Sequence, residues 1–389
     1  MIARTLLYAI LFGAIFEATC RIEDLVRYGT PVLSPYSSQT DLILQDSVGA
    51  RGRPHARFQK WVLNNVGTRG PDVSGRKSPR VLRVVTAGAS ETFGLYESPA
   101  REYPRQLQDS LSARLSVMSC SGQPVYTGAE VINAALPGMS LPTVLADLRH
   151  RVAGLTPDVV VYYPTPSQYL DEATPGSVPT RPRAADALAS RVFYPRAVAR
   201  LRSQAKAMLP DMAQTWLRQR DVAGVIRAHP AGWRFATTPN DRAELYDRDL
   251  RRLVGAVRAT GAVPVLATNS NAFLGTQPGS RDLLFAWERS SPRATGPVIL
   301  AFDSLGRQLV RTVARDSSVA LADVEAHVQG PSMFADYLHF TDKGAAIVAG
   351  VMARAITEQV SRTRCPGSVT ASSAPAGASP YRVRRVVSR

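Results

Sequence analysis

The sequence predicts an α/β fold in which a parallel sheet is covered by helices on both faces. From residue 81 onward, short apolar segments alternate with longer helical segments, the pattern typical of that arrangement. We place five strands, at 81–86, 129–134, 158–163, 262–268 and 318–323. We place the helices between and after them at 100–116, 141–154, 241–260, 297–315 and 342–361.

Three segments lie outside this regular pattern. Residues 171–240 are too long for a simple connection and carry helical runs, so we expect a helical insertion over one edge of the sheet. Residues 21–80 are rich in Gly, Pro and Arg and are interpreted as a stalk that wraps onto the main domain. The basic, low-complexity tail 363–389 cannot build a core and is expected to be disordered.

Composition limits the classes of partner. The 389 residues are 45% apolar and 20% charged, enough for one large core. The formal charge of +16 would suit nucleic acid, anionic lipid or an acidic polysaccharide. Because the arginines are spread along the chain and form no recognisable nucleic-acid module with aromatics, nucleic acid is not expected. An anionic polysaccharide outside the cytoplasm stays a candidate partner.

The N-terminus predicts export. One early cation, Arg4, precedes an apolar run at residues 5–16 that Glu17 ends. This is the length of a signal-peptide core and is short for a membrane span, which needs about 20 residues. The sequence "ATC" at 18–20 is a poor cleavage site, so residues 1–20 are interpreted as a short anchor in the membrane. A cleaved signal, giving a secreted protein, and an ordinary buried helix are the alternatives.

The first candidate catalytic residue is Ser90, in "GASETFG" at residues 88–94. It follows the first strand, where an open parallel sheet presents its binding crevice. A serine with small neighbours such as Gly88 and Ala89 can act as a nucleophile if a general base lies within reach. Taken alone, however, Ser90 is explained better as the cap of the following helix.

The second candidate is the pair Asp336 and His339, in "ADYLHFTDKG" just before the last helix. This spacing lets the carboxylate hold one imidazole nitrogen while the other faces outward, as a general base requires. The same spacing recurs at Asp147 and His150, near the end of a helix that runs back toward the opposite edge of the sheet. That second pair is interpreted as a solvated helix end, remote from Ser90.

The third candidate is Gly138, in "VINAALPGMS" after the second strand. A glycine N–H can point at an oxyanion because no side chain blocks the approach, although a plain turn glycine would look the same. The three blocks, in this chain order and strand context, resemble those of the SGNH, or GDSL-type, hydrolase family over residues 81–362. The resemblance implies a flavodoxin-like three-layer sandwich with a five-stranded parallel sheet of order 2-1-3-4-5.

The resemblance also implies roles. Ser90 is then the nucleophile, His339 the base and later the acid, and Asp336 the group that orients His339. The N–H groups of Ser90 and Gly138 form part of the oxyanion hole. Two departures stand out: Ala89 replaces the family's Asp, and no asparagine occurs from 164 to 170, where the family has an oxyanion donor.

Several residues could replace the missing asparagine. Gln168 or Ser167 is the expected substitute, and Thr165, Asn269 and Asn271 are the alternatives. The resemblance further places the first and last helices side by side and in the same direction. Cys120 and Cys365 each follow one of these helices, so a disulfide between them is predicted, whereas Cys20 lies in the anchor.

These observations together predict an enzyme without a cofactor. The five histidines show no metal-ligand spacing, and neither a phosphate loop nor a G-x-S-x-G elbow occurs. We expect an exported, membrane-tethered serine esterase acting on a small-molecule or glycan ester, with acetyl or acyl groups of envelope glycans or lipids as candidates. The alternatives are a polysaccharide O-acetyltransferase and a non-catalytic protein that binds an anionic polysaccharide on the same fold.

Overall fold

Five parallel strands form the central sheet of the computed structural model, which describes residues 2–36, 38–45, 49–120, 123–170, 195–274 and 281–365. Their order across the sheet is β2-β1-β3-β4-β5, or 2-1-3-4-5 along the chain. The five predicted strands are confirmed to within two residues at each end. The strands are β1 (Val81–Ala87), β2 (Gly128–Asn133), β3 (Val159–Tyr162), β4 (Val263–Ala267) and β5 (Ala320–Ala322).

Ten α-helices occur in the described ranges. Among them, the helix at 281–290 was not expected from the sequence, and the one predicted at 141–154 changes after Asp147 into a π-helical and then a 3₁₀ turn. The helices are α1 (Ile2–Tyr28), α2 (Ser90–Phe93), α3 (Tyr103–Ser116), α4 (Leu141–Asp147), α5 (Arg196–Ala207), α6 (Asp211–Arg227), α7 (Asn240–Ala259), α8 (Arg281–Ser290), α9 (Gly296–Asp316) and α10 (Asp342–Arg364).

Helices cover both faces of the sheet, which confirms the three-layer α/β sandwich. Successive strand residues point to opposite faces, so Val84 and Val85 of β1 belong to different clusters of the core. Val84 packs with α3 and α10, through residues such as Leu111 and Ile356. Val85 lies in the cluster that contains apolar residues of α4, α7 and α9.

The N-terminal helix α1 runs on to Tyr28, beyond the predicted anchor at 1–20. It is one helix, within the described residues, that is long and apolar enough to cross a membrane by length and composition. After it, residues of the predicted stalk form two short antiparallel ribbons, Ile43–Gln45 with Ala50–Gly52 and Arg57–Phe58 with Trp61–Val62. Leu42, Phe58 and Leu63 are buried in the same cluster as Val85, so this segment packs onto the sheet.

The predicted insertion is helical in its described part, where α5 and α6 lie. Residues 171–194 of that insertion, and residues 366–389 of the predicted tail, lie outside the described residues. Helix α5 contacts the end of α1: Arg196 forms an ion pair of 2.6 Å with Asp24, and both side chains are buried. The insertion therefore packs on the N-terminal helix.

A disulfide joins Cys120 to Cys365, whose Cα atoms lie 5.5 Å apart. The two cysteines follow α3 and α10, which pack against each other in one layer of the sandwich. Cys20 is a free, buried thiol where α5 meets α1. The bridge thus ties together the first and last helices of the α/β sandwich.

Candidate active site

Ser90 lies at the carboxyl end of β1 as the first residue of α2. Ala89, and not Ser90, occupies the N-cap position of this short helix, so interpreting Ser90 as a helix cap is wrong. Gly88 is required before it, because a Cβ there would lie 2.8 Å from the carbonyl oxygen of Tyr163 and closer still to the Thr92 hydroxyl. The tight turn leaves Ser90 half-exposed at the edge of the sheet where substrates bind in open α/β folds.

Asp336 and His339 form a hydrogen-bonded pair in the loop before α10. The Asp336 carboxylate holds Nδ1 of His339 at 2.8 Å. Its other oxygen accepts the backbone N–H groups of Leu338 and His339, each at 2.9 Å, which fixes the turn that carries the pair. Nε2 of His339 is buried and has no hydrogen-bond partner among the described residues.

The charges around His339 favour its protonated form. Burial alone would lower the pKa of His339, but the hydrogen bond to Asp336 and the negative charge of Glu91 outweigh it and raise that pKa above its ordinary value. Burial would raise the pKa of Asp336, yet its hydrogen bonds with His339 and the backbone hold the pKa below the ordinary value. The pair is therefore electrostatically suited to accept a proton on Nε2.

Glu91 accepts a hydrogen bond from the proposed nucleophile and acts electrostatically on His339. The sequence motifs assign it no role. Its side chain is 2% exposed, and Oε2 accepts the Ser90 hydroxyl at 3.3 Å. Burial raises the pKa of Glu91, and the positive charge of His339 opposes that rise. The signal in the sequence was an acid next to the proposed nucleophile, within a block of otherwise small residues.

Tyr96 and Arg69 complete the surroundings of the pair and of α2, and neither was singled out in the sequence. The Tyr96 ring lies 5.1 Å from the His339 ring, and the Tyr96 side chain is 54% exposed. Arg69 is buried; its Nη1 donates to the carbonyls of Phe93 and Gly94, and its Nη2 forms an ion pair with Glu102 at 3.2 Å. Arg69 therefore holds the backbone at the end of the helix that Ser90 begins.

Gly138 lies in an exposed turn after β2, the strand that pairs with β1. Its φ of +78° lies in the left-handed region that favours glycine. Within the described ranges, the N–H groups of Ser90 and Gly138 donate to no other group. The placement of Gly138 in the oxyanion hole stays a prediction, with both N–H groups available at the same sheet edge.

The proposed replacements for the missing asparagine fall into three environments. Ser167 is buried and Gln168 half-buried in the 3₁₀ turn Pro166–Leu170, and their oxyanion role stays a prediction. Thr165, just before this turn, donates its hydroxyl to Oε1 of Glu91 at 3.0 Å. Thr165 thus contacts Glu91, the residue that follows the proposed nucleophile.

Asn269 and Asn271 are excluded as oxyanion donors. Their amide nitrogens donate to the buried Asp303 carboxylate, at 2.6 and 2.7 Å. Both asparagines are themselves buried, and one donor of each amide is used in the protein interior. Their bonds join the loop after β4 to Asp303 of α9.

The second D-x-x-H spacing does not form a solvated pair. Asp147 is buried and forms an ion pair with Arg151, one helical turn further on, while His150 is exposed. The helix continues through this region, so residues four apart meet on one face. Spacing alone is thus insufficient, and the loop before α10 is what brings Asp336 and His339 together.

Across the described residues, no group of three or more His, Cys, Asp and Glu side chains could hold a metal ion. The groups that the site presents are the Ser90 hydroxyl, the imidazole of His339 held by Asp336, and backbone N–H donors.

Comparisons with known proteins give structural neighbours but no sequence match. No protein-family model matches the chain, and no curated protein matches it. Similar solved structures include a lipase/acylhydrolase from Enterococcus faecalis, 15% identical, which covers 72% of this chain and 97% of its own at a TM-score of 0.39. An acetylxylan esterase from Geobacillus stearothermophilus, also 15% identical, covers 72% of this chain and 96% of its own at a TM-score of 0.39.

A third neighbour is an alpha/beta hydrolase from the metagenome of Lake Arreo, Spain. It is 17% identical and covers 74% of this chain and 97% of its own at a TM-score of 0.37. At this level of likeness the neighbours carry no information on the reaction, which the geometry of the site itself has to indicate.

Proposed function

We propose that this protein is a serine ester hydrolase of SGNH type, with Ser90 as nucleophile, His339 as base and then acid, and Asp336 as the residue that orients His339. The observation that carries the proposal is the Asp336–His339 pair, with Nδ1 held at 2.8 Å and a buried Nε2 without a partner among the described residues. Buried polar atoms in proteins are nearly always hydrogen-bonded, so an unpartnered Nε2 points to a bond made during a reaction.

The proposed reaction proceeds through an acyl-enzyme. Ser90 Oγ attacks the ester carbonyl carbon while its proton passes to Nε2 of His339. The N–H groups of Ser90 and Gly138 bind the oxyanion of the tetrahedral intermediate. As this intermediate collapses, the bond to the alcohol oxygen breaks and His339 returns its proton to that oxygen. Water, deprotonated by His339, then attacks the acyl carbon. The bond from that carbon to Ser90 Oγ breaks, His339 returns the proton to Oγ, and the acid is released.

Substrate turnover requires Ser90 to leave Glu91. In the structure its hydroxyl donates to that carboxylate, and a distance of 3.3 Å is long for an O–H···O hydrogen bond. We propose that this weak bond is exchanged for one to Nε2 of His339 when the substrate reacts. We infer that substrate binding or deprotonation of His339 favours the exchange.

Acetyl or acyl esters of envelope glycans or lipids are the proposed substrates. Tyr96 supports this class, because a ring that is 54% exposed beside the catalytic histidine offers an apolar face to a sugar ring or acyl chain. The formal charge of +16 favours an anionic glycan within that class.

Export and tethering through α1 are part of the same proposal. Helix α1 has the length and composition of a membrane-spanning or signal segment. The disulfide between Cys120 and Cys365 supports an oxidising compartment, where such bonds persist. The proposed location of the domain is therefore the outer side of the membrane that α1 enters.

A chromogenic ester assay tests the catalytic part of the proposal. Ser90→Ala is expected to reduce hydrolysis of p-nitrophenyl acetate by about 10⁴-fold or more, as in other serine hydrolases that lose the nucleophile. A fluorophosphonate should label wild type on Ser90 and leave the variant unlabelled. Ser116→Ala, at the exposed end of α3, is the control and should keep the wild-type rate. Equal rates in all three proteins, with no label on Ser90, would contradict the proposal.

A further inference from the structure

Helices α5 and α6 expose an unusual number of large apolar side chains. Met208 is 85% exposed, Met212 83% and Trp216 55%. Exposed apolar patches of this kind mark surfaces that bind a partner or a membrane. Between residues 196 and 227, the exposed large apolar side chains are Val198, Leu201, Met208, Leu209, Met212, Trp216, Leu217 and Val225.

The first turn of α5 is docked on α1 just beyond the apolar part of that helix. Glu17, which ends the apolar run, accepts the backbone N–H of Ala197 at 2.8 Å. Arg196 pairs with Asp24 at 2.6 Å, and Arg200 pairs with Glu23. Glu17 and Asp24 lie about 10 Å apart along a helix. If α1 enters a bilayer, α5 therefore begins at the level of the lipid headgroups.

A different face of α5 points away from α1. Val198 and Leu201, three residues apart, lie on one side of this helix, and Met208 follows its last residue. Their side chains are 46%, 54% and 85% exposed. The side chains that bind α1, Arg196 and Arg200, lie on another side, so docking leaves this apolar face uncovered.

The charge-free run of α1 is shorter than the hydrocarbon core of a bilayer is thick. The run at residues 5–16 spans about 18 Å as a helix, whereas the hydrocarbon core of a bilayer is about 30 Å thick. Such a mismatch thins the bilayer or draws the flanking residues toward it. The elements fixed to those flanking residues, α5 first among them, are drawn in as well.

The charges of α5 and α6 complement an anionic membrane. Arg202, Arg218, Arg220 and Arg227 are exposed, and the two acids of α6 are Asp211 and Asp221. The Arg220 guanidinium lies over the Trp216 ring at 5.4 Å. Exposed apolar side chains together with arginines and tryptophan are typical of helices that lie in the headgroup region.

We propose that α5 and α6 form a second membrane-binding surface, which lies on an anionic lipid bilayer beside the point where α1 enters it. Trp216, Met208 and Met212 then insert at the boundary between headgroups and acyl chains, about 5–10 Å deep. The proposal rests on the membrane anchorage proposed for α1. It adds that the body of the protein is held against the membrane at two places, which fixes its orientation.

Tryptophan quenching by brominated lipid tests this surface in the full chain. All four tryptophans lie in the described ranges, and Trp216 is the exposed one, while Trp287 is 1% exposed. The full-length protein is reconstituted into vesicles of phosphatidylethanolamine and phosphatidylglycerol, with and without bromine near the headgroup end of the acyl chains. Flotation in a density gradient first shows whether the protein binds vesicles at all.

The expected result is a loss of emission on bromination in wild type that Trp216→Phe largely removes. A control chain with Trp216→Phe and Val117→Trp carries its exposed tryptophan after α3, where Val117 is 82% exposed, and should not be quenched. Leu201→Glu with Met212→Glu should weaken the contact without changing ester hydrolysis. Replacing phosphatidylglycerol by phosphatidylcholine should reduce the quenching of Trp216.

Three outcomes would overturn the proposal. If the protein floats but bromine does not quench Trp216 and iodide reaches it fully, the anchorage through α1 stands and the second surface is contradicted. Flotation with Trp216 shielded from both iodide and bromine indicates a protein partner instead. Absence of flotation removes the anchorage of α1 and the second surface together, and leaves the ester hydrolase proposal to its own assay.

Discussion

The hydroxyl of Ser90 donates a hydrogen bond of 3.3 Å to Oε2 of Glu91, the next residue in the chain. Glu91 is nearly inaccessible to solvent, and its charge raises the pKa of His339. One carboxylate therefore acts on both reacting groups, by holding the proton of the nucleophile and by favouring protonation of the base. The first effect opposes transfer of the Ser90 proton to His339 and the second favours it, and the two can be measured separately.

Glu91→Gln is expected to shift the acid limb of kcat/KM for ester hydrolysis to lower pH. His339 has to be neutral to act as a base, and loss of the negative charge of Glu91 lowers its pKa. The measurement is a pH–rate profile from pH 5 to pH 9. Glu97→Gln is the matched control, since Glu97 is a smaller cause of the same shift and should move the limb less. An unchanged limb in Glu91→Gln would mean that Glu91 is uncharged in the free enzyme.

The same substitution should stabilise the protein above neutral pH. Burial raises the pKa of Glu91, so the folded state keeps a proton that the unfolded chain releases above its ordinary pKa of 4.5. Stability is therefore lost as the pH rises from that value through the raised pKa, and glutamine removes this loss. We expect a gain on the order of 1–3 kcal/mol at pH 8 and little change at pH 4. Urea unfolding at both pH values is the measurement; a gain of equal size at both would point to packing instead of charge.

Asp336→Asn should lower kcat by about 10³- to 10⁴-fold with little effect on KM. The amide removes the charge that raises the pKa of His339 and no longer stabilises the imidazolium. Asp147→Asn is the matched control, because Asp147 has the same D-x-x-H spacing but pairs with Arg151. In steady-state kinetics normalised to folded protein, this control should have nearly the wild-type kcat. A similar loss in both variants would argue against a catalytic role for Asp336.

Arg69→Met should lower both stability and kcat. The change leaves Glu102 buried without its ion pair, which typically costs about 3–5 kcal/mol, and removes the donors to the Phe93 and Gly94 carbonyls. The double variant Arg69→Met with Glu102→Leu separates the two effects. It should recover much of the stability but not kcat, because the backbone of α2 still lacks its support. Full recovery of kcat in the double variant would show that Arg69 contributes only to stability.

The sequence predicts the sheet well because each strand has a local signal. The runs at 81–86 and 158–163 are mostly apolar and are followed within two residues by Gly or Pro, so their position depends on few distant contacts. The loop that carries Asp336 and His339 is also local, since its hydrogen bonds join residues two and three apart. Local patterns of this kind were sufficient for the strands and for the proposed base.

Long-range contacts explain what the sequence did not predict. Glu91 is significant because Thr165, far along the chain, and His339 approach it. Asp147 is buried and pairs with Arg151, which the second D-x-x-H spacing does not reveal. The amides of Asn269 and Asn271 donate to Asp303, which lies in α9. Helix α1 extends to Tyr28 because α5 packs against its charged end. Each of these depends on tertiary packing, which residue spacing does not encode.

The cysteines give a simple chemical prediction. Denatured, unreduced protein should show one titratable thiol, that of Cys20, and reduction should raise the count to three. Cys20→Ser is the control and should give none before reduction. Replacing Cys120 and Cys365 by alanine should destabilise the folded domain by about 2–5 kcal/mol, as measured by urea unfolding. Three thiols without reduction would show that the bridge is absent.

The bridge also divides the catalytic residues between two parts of the chain. Ser90 precedes Cys120, whereas Asp336 and His339 lie between Cys120 and Cys365, which are 245 residues apart in sequence. A proteolytic cut within residues 171–240 would therefore give two polypeptides, one with the nucleophile and one with the base, that remain a single covalent molecule. In an oxidising compartment the domain can be nicked there while its two catalytic halves stay covalently joined. A reductant would remove that link and leave the halves held by the pairing of β3 with β4 and the packing of α3 on α10.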